Sequence, residues 1–234
     1  MLVLFKIFAL PTLAIMIVSY LLGSINFSII FTKMFSKDDI RTMGSGNAGT
    51  TNVLRSVGKR AAILTFIFDI IKCVVSVILT KYVLAYMSAA SNAPAYIVNY
   101  GIYLSGFCCT IGHMYPIYFK FKGGKGVVTA TTMMALADWR VFLAVIGLFI
   151  IVFSIWKMVS LGSVIGGIIY PIVTFVITFF VDYYGNGVVS LKYVLVVTAV
   201  TAMVSGIVIY KHRGNIQRLI NGTEKKLFGN KQKD

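Results

Sequence analysis

Residues 160–182 read SLGSVIGGIIYPIVTFVITFFVD, with no charged side chain before Asp182. An α-helix needs roughly 17–25 predominantly apolar residues to cross a bilayer, and this stretch supplies them. Six further apolar segments are of the same kind, spanning about 4–31, 61–80, 95–118, 126–138, 141–157 and 189–210. Composition agrees: 58% of the 234 residues are apolar and 12% charged, against about 45–50% and about 25% in soluble domains. So few charges cannot cover a water-soluble fold, and lipid is the solvent. The fold class that follows is all-α: a polytopic integral membrane helical bundle of about seven transmembrane helices, with residues 1–234 as a single membrane-embedded domain. The first run is too long for a signal-peptide core and lacks a small-residue cleavage site, so it counts as the first span. Segment 126–138 is short. Its glycine-rich entry predicts a helix that starts at the membrane boundary behind an irregular loop, which is tolerated only where protein or a watery cavity covers the backbone.

Charge gives the orientation. The chain carries 22 Lys and Arg against 7 Asp and Glu, a net charge of +15. With the N-terminus outside, 17 of the 22 basic residues fall in segments on the inner side, including Lys33 to Arg60, Lys120 to Lys125, Lys157 and the tail from Lys211 to Lys233. The positive-inside bias therefore predicts a cytoplasmic C-terminus, and anionic lipid explains the basic balance without a nucleic-acid partner. Tyr82, Tyr86, Tyr96, Tyr100, Tyr103, Trp139, Tyr183 and Tyr184 crowd the proposed outer ends of spans, as an interfacial belt does. Cys73, Cys108 and Cys109 lie in apolar stretches, and their spacing makes neither a disulfide framework nor a metal site.

Two inner segments carry chemistry. Residues 44–55, GSGNAGTTNVLR, place three glycines before hydroxyls, amides and an arginine. Small side chains let backbone N–H groups converge on an anion, and Thr51 or Asn52 can cap a short helix. Arg55 lies four residues beyond Thr51, on the same helical face. The plain alternative is a polar turn between spans, since turns use the same residues. Residues 119–127, FKFKGGKGV, put Gly123, Gly124 and Gly126 around Lys125, directly before an apolar helix. That places amides and one ammonium at a helix N-terminus, a natural seat for phosphate. It is not a Walker A loop, because Phe119 and Gly126 occupy places which that motif reserves for Gly and for Ser or Thr. Ser160 and Ser163 can put hydroxyls at a span entrance, and His212 and Asn215 follow the last span. Asp69 and Lys72, three residues apart near the middle of a span, can pair on one helix face. They read as a self-neutralising structural pair.

Taken together these segments resemble the acyl-phosphate:glycerol-3-phosphate acyltransferases, the bacterial PlsY family, nearly from end to end. The first segment looks like the family's G-S-G-N-x-G-A-T-N-V-x-R, and K-F-K-G-G-K-G-V looks like its phosphate-loop motif. S-L-G-S from Ser160 and H-R-G-N-I-Q-R-L-x-x-G-T-E from His212 complete the set. Departures are local: Thr50 stands for a usual Ala, Cys73 for a Gly after Asp-x-x-Lys, and Gly214 for a usual Glu.

The resemblance implies transfer of a fatty acyl group from acyl phosphate to the sn-1 hydroxyl of glycerol 3-phosphate. That reaction gives lysophosphatidic acid and phosphate, in the first step of phospholipid synthesis. It implies a multi-pass protein of the bacterial inner (plasma) membrane, with membrane lipid as partner. Ser45, Arg55, Lys125, His212 and Asn215 are expected to clamp glycerol phosphate and orient its hydroxyl. Asn47, Thr51, Asn52, Gly123, Gly124 and Gly126 are expected to cradle acyl phosphate, with Ser160 or Ser163 closing the site. No carboxylate or Cys/His cluster has metal spacing, so neither metal nor cofactor is expected. Glycerol-phosphate acyltransferases of the other class use His with Asp five residues on, but Tyr118 and Gln217 follow His113 and His212 at that distance. The rival reading is a small transporter of organic or phosphate anions, against which the absence of inverted repeats speaks.

Overall fold

The computed structural model describes residues 2–94 and 96–227, with side chains from Phe8 onward; Lys231 and Lys233 of the basic tail lie outside the described residues. Among the described residues every regular element is helical: α1 Leu2–Ser24, α2 Phe27–Ser36, α3 Thr50–Ser56, α4 Lys59–Ala90, α5 Tyr96–Met114, α6 Val127–Ala137, α7 Trp139–Trp156, α8 Val159–Val176, α9 Leu191–Lys211 and α10 Arg213–Ile220. Short 3-10 turns occupy Ile40–Thr42 and Ile117–Phe119, and a π-helix, Ile177–Gly185, continues α8.

Among the described residues five helical stretches are long and apolar enough to cross a membrane: Phe8–Ser36, Lys59–Ala90, Trp139–Trp156, Val159–Gly185 and Leu191–Lys211. Their surfaces suit lipid. On α7, Leu143, Ile150, Ile151 and Ile155 are all more than half exposed, which an aqueous surface would not favour. The expected segment 95–118 is the helix α5, which packs against α1, α4 and α6. Protein surrounds it, so it carries Gly, Ser, Cys and Thr where a lipid-facing helix carries Leu and Ile. The expected segment 126–138 is α6, whose 11 residues rise about 16 Å, half a bilayer. Asp138 ends it by capping α7 through the Arg140 N–H at 2.9 Å.

The chain divides into two compact units, Met1–Ala137 and Asp138–Asp234. In the first, α5 is the strut, and glycines set its approach to three neighbours. A Cβ on Gly101 would collide with Leu84 of α4, one on Gly106 with Met133 of α6, and one on Gly112 with the α1 backbone at Tyr20 and Ser24. Small residues at such crossings let helices gain close van der Waals contact where lipid offers no hydrophobic drive. Tyr103 belongs to this packing: it is buried rather than part of the aromatic belt, whereas Tyr82, Tyr86, Tyr96 and Tyr184 are exposed. The first span is broken at Ile25 and Asn26; Asn26 Oδ1 caps α2 by accepting from Ile29 N at 3.2 Å.

In the second unit α8 packs between α7 and α9. Arg140 is clamped by two carboxylates, donating to both oxygens of Asp182 at 2.7 and 2.8 Å and to Asp138 at 2.7 and 3.0 Å. The planar guanidinium fits two-point contacts of this kind. The chain after α10 turns back, and Leu227 N donates to Lys157 O, at the α7–α8 corner, at 2.8 Å.

Candidate active site

The first glycine segment is a built loop. Gly44 and Gly46 have φ of 55° and 68°, the left-handed region that disfavours other residues. A Cβ on Gly44 would collide with Asn52 Oδ1 and Ser56 Oγ. Asn52 is buried and committed to the loop. Its amide nitrogen donates to the carbonyls of Ile40, Met43 and Asn47 at 3.3, 2.9 and 3.1 Å, and its oxygen accepts from Ser45 N at 3.0 Å. The cap of α3 is Gly49, not Thr51 or Asn52, which are the second and third residues of the helix. The Asn52 amide cannot both cap the helix and close the loop, and the loop takes it. Ser45 and Arg55 are exposed, and Asn47 and Thr51 half-buried.

The second segment lies against the end of α5. Gly124 N donates to His113 O at 3.1 Å, so this amide is spent within the protein. Cβ atoms on Gly123, Gly124 and Gly126 would each collide with α5 or its exit, at His113 O and Pro116, at His113 Nε2, and at Met114. The three glycines are required by close approach. Gly126, at φ 75°, directly precedes α6, and Lys125 is half-buried between the last two glycines.

The two loops brace each other inside the first unit. Arg41, held by Asp39 at 2.6 Å, donates to Phe119 O at 2.8 Å. Phe119 packs on the core of Ile29, Ile40, Ala48, Val53, Ala61 and Ala62 beneath the first loop, and a Cβ on Gly124 would also strike Ala48 O. Hydrogen bonds from Arg41 hold the Asp39 carboxyl below the usual carboxylate range.

In the second unit the motif residues gather on Glu224. Ser160 Oγ and Asn215 Nδ2 both donate to Oε1 at 2.7 Å, and Arg218 Nε donates to Oε2 at 2.7 Å. Burial pushes this carboxyl up, but the three donors outweigh burial and hold it below its ordinary value. His212 is buried, with Nδ1 2.8 Å from Val208 O. A carbonyl only accepts, so Nδ1 carries a proton, and in the neutral ring Nε2 is the accepting nitrogen. Ser163 Oγ donates to Val159 O within α8 at 2.9 Å.

The sequence profile of the family described as glycerol-3-phosphate acyltransferase matches residues 13–222. The chain belongs to this family. A glycerol-3-phosphate acyltransferase of Clostridioides difficile is 39% identical over 218 residues, covering 93% of this chain and 96% of that one. One from Prochlorococcus marinus is 37% identical over 216 residues, covering 92% and 97%. The crystal structure of PlsY, an integral membrane glycerol 3-phosphate acyltransferase, in its glycerol 3-phosphate form has a TM-score of 0.73 to this chain. It is 30% identical and covers 94% of this chain and 96% of that one. Its lysophosphatidic acid form has a TM-score of 0.71.

For this member of the acyltransferase family, the structure adds Glu224, to which the sequence reading gave no role. Two signals were present: it closes the motif that begins at His212, and it is the only glutamate in the chain. Glu224→Ala removes the shared acceptor of the buried Ser160 and Asn215, at about 1–3 kcal/mol for each donor left unsatisfied. The returning segment is then expected to detach, and trypsin to cut after Lys225 and Lys226 faster than in the wild type. Equal cleavage rates would show that Glu224 does not hold the tail. Because the folded carboxyl is lowered, its contribution is complete above the ordinary glutamate value of about 4.3 and lost as pH falls through the lowered one. The tail therefore stays docked at neutral pH.

Proposed function

We propose that this chain transfers a fatty acyl group from acyl phosphate to the sn-1 hydroxyl of glycerol 3-phosphate, giving lysophosphatidic acid and phosphate. The observation that carries the reading is the mutual bracing of two glycine loops in the first unit, one bearing Arg55 and the other Lys125. Two anionic substrates need two cationic, amide-rich seats, and an acyl tail needs helices open to lipid. The acylated product and the lysophosphatidic acid form of a solved relative fit one another. A transporter would be expected to move charge along a path, yet Asp69 and Lys72 are paired and buried.

In the proposed step the sn-1 oxygen attacks the acyl carbonyl carbon, and the bond from that carbon to the bridging phosphate oxygen breaks. The hydroxyl proton passes to the departing phosphate, the substrate assistance implied by the family resemblance. A mixed anhydride is already activated, so positioning and charge neutralisation supply much of the acceleration. Ser45, Arg55, Lys125, His212 and Asn215 are assigned to glycerol phosphate. His212 Nε2, as acceptor, suits holding the hydroxyl proton towards its destination. Asn47, Thr51, Gly123 and Gly126 are assigned to acyl phosphate, with Asn52 and Gly124 shaping the two loops from within and Ser160 or Ser163 closing the site. The chain acts as one catalytic domain in a bacterial inner membrane.

Purified protein in detergent, given glycerol 3-phosphate with acyl phosphate, acyl-CoA or acyl carrier protein in turn, is expected to release lysophosphatidic acid from acyl phosphate alone, with EDTA present. Turnover with acyl-CoA only would replace the donor, and no turnover with any donor would sink the function.

The topology proposed is N-terminus outside, with both glycine loops and the C-terminus cytoplasmic. The three native cysteines are buried and so give little background. In intact cells Lys59→Cys should be shielded from an impermeant thiol reagent and Asn186→Cys should react; the reverse pattern would invert the topology.

A further inference from the structure

Asp69 and Lys72 pair as their spacing predicts, with Nζ 2.7 Å from Asp69 Oδ1. They do not stop at each other. Lys72 Nζ also donates to Ile25 O at 2.9 Å, at the break in the first span, and lies 3.0 Å from His113 Nδ1. The three side chains are 1%, 2% and 5% exposed. An ammonium has three donors and no acceptor, and here the Asp69 carboxylate, the Ile25 carbonyl and His113 Nδ1 all lie within 3.0 Å of it. His113 Nδ1 also lies 3.5 Å from Asp69 Oδ1, so this end of the ring is held beside both charges of the pair.

Nε2 is the end of the ring that faces the second glycine loop. A Cβ on Gly124 would collide with it and with Ala48 O of the first loop, while Gly124 N donates to His113 O. His113 thus holds the loop twice, by its carbonyl and by its ring. A self-neutralising pair needs no third partner; this one also holds the residue against which the loop lies.

We infer that Asp69, Lys72 and His113 form a positioning device for the Gly123–Gly126 loop, fixing the imidazole as the wall that sets where phosphate is received. The three are assigned no contact with substrate. The inference rests on the acyl-phosphate reading above, and wild-type turnover in the same assay tests that reading separately.

The test uses membrane vesicles with each variant quantified by a tag, and measures KM and kcat for both substrates per amount of protein. Removing one charge alone would strand the other, so Asp69→Asn and Lys72→Met are combined. His113→Asn keeps an acceptor near Nδ1 but removes the far end of the ring, and His113→Gln restores a polar group near Nε2. The double variant and His113→Asn are expected to raise KM for acyl phosphate about tenfold or more, with kcat within about threefold, and His113→Gln to recover most of the loss. A rise for glycerol 3-phosphate instead would keep the device and reassign the loop to that phosphate. KM values within twofold of wild type for both substrates would overturn the inference. So would failure of all three variants to accumulate, which would make the network a folding element only. Absent wild-type turnover would instead strike the reading of function.

Discussion

Lys125→Ala is expected to lower acyl transfer by about 100- to 1,000-fold, the usual cost of losing one preorganised donor to developing charge. The variant should still reach the membrane in normal amount. Lys125 is half-buried in a loop whose position is set by neighbouring glycines against α5 and by Phe119 in the core. The Gly124 amide is already spent on His113 O and cannot substitute for a lost ammonium. The measurement is kcat/KM in vesicles beside protein amount and unfolding temperature in detergent. A folded Lys125→Ala protein with turnover within tenfold of wild type would remove this lysine from the site and turn the second loop into a packing element.

How far these features could be read from the sequence depends on how far each reaches along the chain. The spans were legible because apolarity at membrane length is local: the segments at 141–157, 160–182 and 189–210 lie close to α7, to α8 with its π-helical extension, and to α9. The start of α6 at Val127, directly after Gly126, was legible for the same reason. What escaped depends on distant partners. Tyr103 has the composition of a belt residue, and only the neighbours of α5 bury it. Asn52 reads as a cap until the carbonyls of Ile40, Met43 and Asn47 converge on it. Glu224 closes the motif that begins at His212, but its meeting with Ser160, 64 residues away, depends on a chain reversal that nothing local marks. Asp69 and Lys72 announce a pair by spacing, but the Ile25 carbonyl and the His113 ring come from other helices. Proximity between loops was likewise invisible: Arg41 reads as one basic residue of the inner side, and its bond to Phe119 O spans 78 residues.

Arg55→Lys keeps the charge, yet is expected to lower kcat/KM for glycerol 3-phosphate by about 10- to 100-fold, the equivalent of losing roughly 1.5–3 kcal/mol of charge-assisted hydrogen bonding. A guanidinium offers phosphate two parallel N–H groups in a fixed plane, whereas an ammonium offers a point charge on a flexible stem. Arg55 is exposed in the last turn of α3, a short helix anchored by the buried Val53 and Asn52, so the exchange should leave the loop intact. Most of the loss should appear as a raised KM, because the clamp holds the ground-state phosphate as well as the transition state. Raising glycerol 3-phosphate should then restore much of the rate in Arg55→Lys but not in Lys125→Ala, if Lys125 meets charge that develops during transfer. Equal rescue of both variants would place both side chains in ground-state binding alone. A folded Arg55→Lys with wild-type KM would remove the fork from the clamp.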